Sequence, residues 1–321
     1  MNLQDRIYIL DGATGTALQQ FGLTEADFRG EEFAHHPIPL KGNNDVLNIT
    51  RPDVIRQVHQ NYIDAGADII ETNTFNANTI SQTEYGCVEW VSRLNLEGAR
   101  LAKETASACK ERKIYVAGSI GPTDKSLTLA PDPDQPTYRI VNFDTLANAY
   151  ASQAAALIEG GVDLLLVETI YDGLNAKAAL YAIAKVQEEK GTNLPVMLSA
   201  TVNDKSGRTL TGQSLEALFT SLAHYPILSF GLNCSFGAKE LHHFLQELAP
   251  RIPCHISIYP NAGLPNEMGE YDESPEFTAL CLQNMAKEGL INIAGGCCGT
   301  TPEHIRAIAN ALKNIPPRKV P

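Results

Sequence analysis

Eight short apolar runs recur along the chain, separated by longer segments of mixed polarity. The runs are rich in leucine and β-branched residues and lack the polar alternation of a strand with one face in solvent. They occupy residues 7–10, 67–72, 114–121, 162–169, 195–202, 227–234, 254–263 and 291–296. Such runs are typical of parallel strands that are covered on both faces, which favours a sheet flanked by helices.

The segments between the runs carry helix start and stop signals. For the helix predicted after the first insert, Thr50 is the expected cap, Pro52 lies in the first turn and Gly66 is a suitable stop. Its predicted apolar face consists of Val54, Ile55, Val58 and Tyr62. The same logic predicts helices within residues 143–161, 214–225 and 301–314.

Eight strand–helix units predict an α/β fold, a single-domain (β/α)₈ TIM barrel, with a doubly wound open sheet as the alternative. No Gly-x-Gly-x-x-Gly follows the first run, which disfavours a dinucleotide site. Two long inserts, 19–49 and 122–143, follow strand ends on the face where barrel enzymes build their sites. We expect the barrel to span residues 1–315 and the Pro-rich basic segment 316–321 to be a linker-like tail.

Composition narrows the class of protein without changing the fold. The 321 residues are 44% hydrophobic and 19% charged, as in globular proteins with a large core. A formal net charge of −12 repels phosphate backbones and argues against a nucleic-acid partner. No apolar run approaches the ~20 residues of a membrane span, and the N-terminus lacks a secretory pattern, so we expect no membrane role and a cytoplasmic location.

The cysteines concentrate the candidate chemistry. Without a secretory signal, the seven cysteines are expected to be free, catalytic or metal-bound. Cys234 ends the sixth run, and Cys297 and Cys298 follow the eighth, so a barrel would place all three at one rim. The glycines around the adjacent pair let the backbone leave strand geometry and turn both sulfurs inward. Three thiolates suit Zn²⁺ and leave its fourth position open, while three buried cysteines without a metal are the alternative.

Other cysteines and a histidine pair are not expected to bind a metal. Cys87, Cys109, Cys254 and Cys281 lie in or near helix-like segments or a strand. His242 and His243 are adjacent in a predicted helix, where neighbouring side chains diverge by ~100°.

Acidic and backbone groups at other strand ends predict an amino acid site. Asp11 and Glu168 each lie at the end of a strongly apolar run and together could hold an amine, although a turn or cap role is the alternative. Gly12 and Ala13 offer backbone N–H groups suited to a carboxylate. Asn261 lies near the end of the seventh run and is either an oxygen ligand for the metal or a turn residue.

These groups together favour chemistry at the thiol of an amino acid. Metal coordination deprotonates a thiol whose free pKa is near ~8.5. Four thiolates leave a zinc complex anionic, which keeps the substrate sulfur nucleophilic. Alkyl transfer to sulfur by in-line displacement is therefore the predicted reaction.

Six motifs between about residues 7 and 318 resemble the homocysteine S-methyltransferase family. They are "DGATGT", "KGNNDVLNITRPDVI", "GADIIETNTF", "GLNCS", "PNAGLPN" and "GGCCGTTPEHI". The resemblance implies a (β/α)₈ barrel that binds zinc and L-homocysteine. In this chain it implies the zinc ligands Cys234, Cys297 and Cys298, the amine-binding acids Asp11 and Glu168, the carboxylate-binding amides of Gly12 and Ala13, and Asn261 as the oxygen ligand that homocysteine replaces.

Within the family, the motifs and the insert 122–143 are most similar to the N-terminal homocysteine-binding module of cobalamin-dependent methionine synthases. The resemblance implies methyl transfer to L-homocysteine, giving L-methionine. Methylcobalamin would be presented by a cobalamin-binding module and recharged by a methyltetrahydrofolate-binding module, so the chain is expected to be an excised module or a split subunit. The alternatives are a stand-alone enzyme that uses S-methylmethionine or betaine, and a non-catalytic zinc scaffold.

Overall fold

Eight parallel strands form one sheet in the computed structural model, which describes residues 1–320. The strands are β1 (Tyr8–Ile9), β2 (Ile69–Glu71), β3 (Tyr115–Ile120), β4 (Leu164–Ile170), β5 (Val196–Ala200), β6 (Ser229–Gly237), β7 (Ser257–Asn261) and β8 (Ile293–Ala294). Each predicted run coincides with one strand. Their spatial order is β1-β8-β7-β6-β5-β4-β3-β2, so the strands from β2 to β8 are adjacent in the order of the sequence, and β1 lies beside β8.

The sheet closes between its two edges. The N–H of Asp68 donates to the carbonyl of Ile9 over 2.7 Å, and the N–H of Asp11 donates to that of Ile69 over 3.0 Å. With this closure the (β/α)₈ barrel is confirmed, and the alternative of an open doubly wound sheet is wrong.

Helices follow the strands and cover the outside of the barrel. They are α1 (Thr14–Gln19), α2 (Glu25–Arg29), α3 (Leu47–Thr50), α4 (Pro52–Ala65), α5 (Val91–Ala108), α6 (Phe143–Glu159), α7 (Gly173–Lys190), α8 (Leu215–Leu222), α9 (Ala238–Leu248), α10 (Pro275–Lys287) and α11 (Pro302–Leu312). The helix predicted after the first insert is α4, and its predicted apolar face is buried. No helix within the described range is long and apolar enough to cross a membrane.

The predicted cap of α4 is wrong. Thr50 is the last residue of α3, and its hydroxyl donates to the carbonyl of Val46 over 3.3 Å. The break between the two helices falls one residue later, at Arg51, whose φ of −137° is not helical. The reason is that Pro52 disfavours the α conformation in the residue before it.

Side-chain alternation divides the core into two layers. Inward positions such as Leu10, Leu166 and Met197 fill the barrel, while the other face of each strand packs against the helices. Because both layers are apolar, the strands read as continuous apolar runs.

The C-terminal segment contacts the opposite end of the barrel from the candidate site. Arg318 is buried, and its guanidinium donates to the carbonyls of Ala249, Ile252 and Cys254, which precede β7. The boundary at residue 315 stays a prediction, but the chain is anchored to the barrel at least as far as Arg318.

Candidate metal centre and substrate pocket

Three cysteine sulfurs meet at the C-terminal ends of β6 and β8. Sγ of Cys298 lies 3.9 Å from that of Cys234 and 4.0 Å from that of Cys297, and all three lie within 4.8 Å of one another. A tetrahedral zinc with Zn–S bonds of about 2.3 Å has sulfur–sulfur edges of about 3.8 Å. Spacing and donor type therefore fit three sulfur ligands of one zinc ion.

An irregular strand end brings Cys234 into this cluster. The pairing of β6 with β7 shifts register between Asn233 and Gly237. At this shift Cys234 and Ser235 have φ values of 61° and 64°, unusual for residues other than glycine. The backbone therefore leaves the normal side-chain alternation where the sulfur is needed.

The glycines of the adjacent-cysteine turn also make room for other segments. A Cβ at Gly295 would lie 2.7 Å from Cβ of Leu10, and one at Gly299 would lie 2.3 Å from Cβ of Tyr271. Gly299 has a φ of 78°, as the turn requires. The predicted role in freeing the backbone is thus joined by close approach to β1 and to Tyr271.

The three thiols compete for negative charge. Hydrogen bonds from Cys297 and Cys298 lower the pKa of Cys234 to about 3, and the interaction with Cys234 raises the pKa of the other two. The cause is that the other two thiols donate hydrogen bonds to the Cys234 thiolate. If one of them ionised, it would lose this hydrogen bond and its charge would be repelled by that thiolate. A divalent cation removes this conflict because it stabilises all three thiolates together.

The two adjacent histidines, which were not expected to bind a metal, each pair with a glutamate. His242 pairs with Glu288 at 3.0 Å, and His243 lies 3.3 Å from Glu247. Within residues 1–320, the three cysteines are the only group of His, Cys, Asp and Glu side chains with spacing suited to a metal.

A cavity of about 260 Å³ joins the sulfurs to buried carboxyl groups. Its wall includes Glu71 and Glu168 as well as the three cysteines. Oε1 of Glu168 accepts a hydrogen bond from the Ser119 hydroxyl over 2.5 Å. Sequence reasoning missed Glu71, although the apolar runs that contain "IIET" and "LVET" both end in Glu-Thr, and this repeat was the available signal.

Asp11 adjoins this group without lining the cavity. Its Oδ2 accepts from the N–H of Glu71 over 2.9 Å, whereas its Oδ1 is buried without a hydrogen-bond partner among the described residues. The predicted contact of Asp11 with a substrate amine therefore stays a prediction.

These carboxyl groups are held in a setting that opposes their ionisation. Burial raises the pKa of Asp11 and Glu71, and it raises that of Glu168 to about 7. No lysine, arginine or histidine is among the described residues that line the cavity. A bound ammonium group would supply the missing positive charge.

Gly12, Ala13 and Asn261, which were predicted to bind the substrate carboxylate or the metal, differ in whether their polar groups already have hydrogen-bond partners. The N–H of Ala13 donates to Oγ1 of Thr300 over 3.2 Å, so it already has a partner in the protein, and its role in binding a carboxylate stays a prediction. The N–H of Gly12 has no hydrogen-bond partner within the described part of the chain and also lines the cavity. Asn261 ends β7, its side chain forms a hydrogen bond with the sulfur of Cys234, and its Oδ1 is buried and unpartnered among residues 1–320. Its role as an oxygen ligand of the metal stays a prediction.

Thr169, next to Glu168, is a second feature that the sequence did not reveal. Its φ of 54° is an outlier for a β-branched residue and costs of the order of 1–3 kcal/mol. The side chain of Asn233 binds both its N–H and its hydroxyl. Such strain persists only where the surroundings enforce it, here beside the candidate site.

Replacing Glu168 with glutamine should change how stability depends on pH. The folded pKa of about 7 exceeds the ordinary 4.5, so the folded chain keeps a proton that the unfolded chain has released. The resulting stabilisation is complete below pH 4.5 and is lost as pH rises through 7. The glutamine of the variant does not titrate in this range. Between pH 4.5 and 7 the free energy of unfolding should therefore fall less in the variant than in the wild type, by up to about 3 kcal/mol at 1.36 kcal/mol per pKa unit.

Urea unfolding of the metal-free protein at several pH values measures this difference. Replacing Glu189, an exposed glutamate on α7, with glutamine is the matched control and should follow the wild type. Parallel pH curves for wild type and the Glu168 variant would contradict the raised pKa.

Comparisons with known proteins agree on the barrel and give it a family. The family model described as homocysteine S-methyltransferase matches residues 8–312. The homocysteine methyltransferase MmuM from Escherichia coli is similar in its oxidized form (23% identity, 95% of both chains, TM-score 0.73) and its metallated form (24% identity, 96% of both chains, TM-score 0.70). An amine oxidase from Pseudomonas geniculata, acting on 6-hydroxypseudooxynicotine, is 10% identical over 96% of this chain and 47% of its own, with a TM-score of 0.58. At these identities the structural likenesses concern the fold alone.

Proposed function

The chain belongs to the homocysteine S-methyltransferase family, and from this premise we propose that it binds Zn²⁺ and methylates the thiol of L-homocysteine, giving L-methionine. One observation carries the proposal. A single cavity presents three converging cysteine sulfurs and buried carboxyl groups without a basic neighbour. Homocysteine has the complementary groups, a thiol at one end and an ammonium at the other.

In this proposal Cys234, Cys297 and Cys298 would hold the zinc, and Oδ1 of Asn261 would be its oxygen ligand until homocysteine replaces it. Zinc held there supplies one effect, which is to keep the substrate thiol deprotonated and nucleophilic at neutral pH. Glu168 aims a carboxyl group into the same cavity.

The chain's own residues fix the amino acid end of the substrate. Glu71 and Glu168 receive the ammonium, with Asp11 adding negative charge behind Glu71. The free N–H of Gly12 donates to the substrate carboxylate. A substrate held at both of these groups reaches the sulfur cluster only with its side chain, which positions the thiol for attack.

The reaction is a displacement at the methyl carbon. A sulfur lone pair forms the new S–C bond, while the donor keeps the electrons of the bond that breaks. We propose methylcobalamin as the donor. A separate module or subunit would present it, and the cobalamin would be remethylated from methyltetrahydrofolate. The motif resemblance and the two long inserts at the mouth of the barrel support this choice.

X-ray absorption at the zinc edge tests the proposal. The zinc-loaded protein should show three sulfur neighbours and one lighter ligand, and homocysteine should raise the sulfur count to four. An unchanged count at saturating homocysteine would contradict thiol binding at the metal. Methionine formation with free methylcobalamin then tests the donor. Turnover with S-methylmethionine or betaine, but none with methylcobalamin, would overturn that part.

A further inference from the structure

The side-chain amide of Asn233 has all four of its hydrogen-bonding positions occupied. Oδ1 accepts from the N–H of Thr169 over 3.1 Å and from the hydroxyl of Ser199 over 2.7 Å. Nδ2 donates to the hydroxyl of Thr169 over 2.8 Å and to Sγ of Cys297 over 3.9 Å. A backbone N–H can only donate, so it must face Oδ1, which fixes the orientation of the amide.

On one side, Asn233 binds Thr169, the residue of β4 with strained backbone geometry. Thr169 is the outlier with a φ of 54°, and the pairing of β4 with β5 is irregular between Val167 and Ile170. Glu168 lies within this irregularity and lines the cavity. Two hydrogen bonds between the Asn233 side chain and Thr169 therefore hold the backbone next to Glu168, whose carboxyl group accepts from the Ser119 hydroxyl.

On its other side, Asn233 contacts the sulfur cluster. It directly precedes Cys234 in the chain, and its Nδ2 reaches the sulfur of Cys297. An N–H donor withdraws charge from a thiolate, and such bonds tune the metal that the sulfur binds. Asn233 is also 1% exposed, so water does not compete for these bonds.

We propose that Asn233 is a positioning residue that sets the direction of the Glu168 carboxyl group and the donor strength of the Cys297 sulfur together. The inference rests on the proposed function, because it takes Cys297 as a metal ligand and Glu168 as an amine ligand. Through Asn233, the end of the site that binds the amine is rigidly linked to the end that activates the thiol.

The test uses the cobalt(II)-substituted protein, whose thiolate-to-metal charge-transfer band reports the donor strength of sulfur. Asn233→Ala removes the N–H donor, so the band should move to longer wavelength at full cobalt occupancy. The dissociation constant for homocysteine should rise about 10-fold, the equivalent of about one net hydrogen bond, because the Glu168 carboxyl group is then less firmly positioned. A role confined to stability would leave the band where it is.

Ser199→Ala is the matched control, because it removes one bond to Asn233 and keeps both Nδ2 donations. Its band should coincide with that of the wild type. If Asn233→Ala fails to fold, the double variant Thr169→Gly/Asn233→Ala relieves the left-handed strain and should still show the shifted band, whereas Thr169→Gly alone should not.

The outcomes separate this inference from the function on which it rests. An unshifted band in fully loaded Asn233→Ala, or in the double variant where that replaces it, would overturn the role of Asn233 and leave the metal site intact. A wild-type protein that takes up no cobalt would overturn the proposed metal site and this inference with it.

Discussion

Replacing Cys298 with alanine is expected to remove most of the bound zinc and to reduce methyl transfer to homocysteine at least about 100-fold. Removal of an outer partner of a metal ligand alone costs about 10–100-fold, so loss of the ligand itself is expected to reach at least the upper end of that range. Cys298 lies 3.9 and 4.0 Å from the other two sulfurs, and two thiolates cannot complete a tetrahedral site without it. Elemental analysis of the reduced protein and methionine formation measure the two effects.

Cys109→Ala is the control for this experiment. Cys109 follows α5, and its sulfur donates to Glu111 on the surface, away from the cluster. The control should keep full zinc content and activity. Methyl transfer by Cys298→Ala that survives chelation of zinc would show that the sulfur cluster has no part in the reaction.

Replacing Glu168 with glutamine is expected to weaken homocysteine binding about 30-fold while zinc is retained. The isosteric change removes the negative charge and keeps the shape, so the cavity and the sulfur cluster should survive. Loss of one partner from a buried ion pair costs about 2–5 kcal/mol, and the lower value, about 30-fold, is expected because Glu71 remains. Calorimetric titration of the zinc-loaded protein measures the dissociation constant.

Zinc content separates this effect from damage to the metal site. Glu189→Gln is again the matched control, because it removes a carboxylate from an exposed position on the outer face of the barrel. It should bind homocysteine as the wild type does. An unchanged dissociation constant in the Glu168 variant would remove this carboxylate from the amine site.

The fold could be predicted because its signal is local and repeated. Parallel strands buried on both faces appear as continuous apolar runs, and each run coincides with a strand in the barrel. The misplaced cap at Thr50 shows where local signals compete. Thr50 is a residue type that often caps helices, but here it is the last residue of α3. Because Pro52 disfavours the helical conformation of Arg51, the break between the helices falls one residue later.

The candidate site was predictable where it follows the ends of strands. Four of the predicted residues lie at the ends of apolar runs or directly after them, and a barrel brings all such ends to one rim. They are Cys234, Cys297, Cys298 and Glu168. Residues whose role depends on a partner elsewhere were missed. Glu71 gains importance from its shared cavity with Glu168, and the N–H of Ala13 is occupied by Thr300, which is distant in sequence.

The sequence by itself determined the order of strands and helices, the rim to which the cysteines belong and the chemical types gathered there. Periodicity and residue type are properties of neighbouring positions, so they are legible along the chain. Only the tertiary structure decided the sulfur spacing, the burial of the carboxyl groups without a basic residue beside them, and the bonds of Asn233 to Thr169 and Cys297. These depend on distances between segments more than 60 residues apart, which are set by barrel closure and register and which no local pattern encodes.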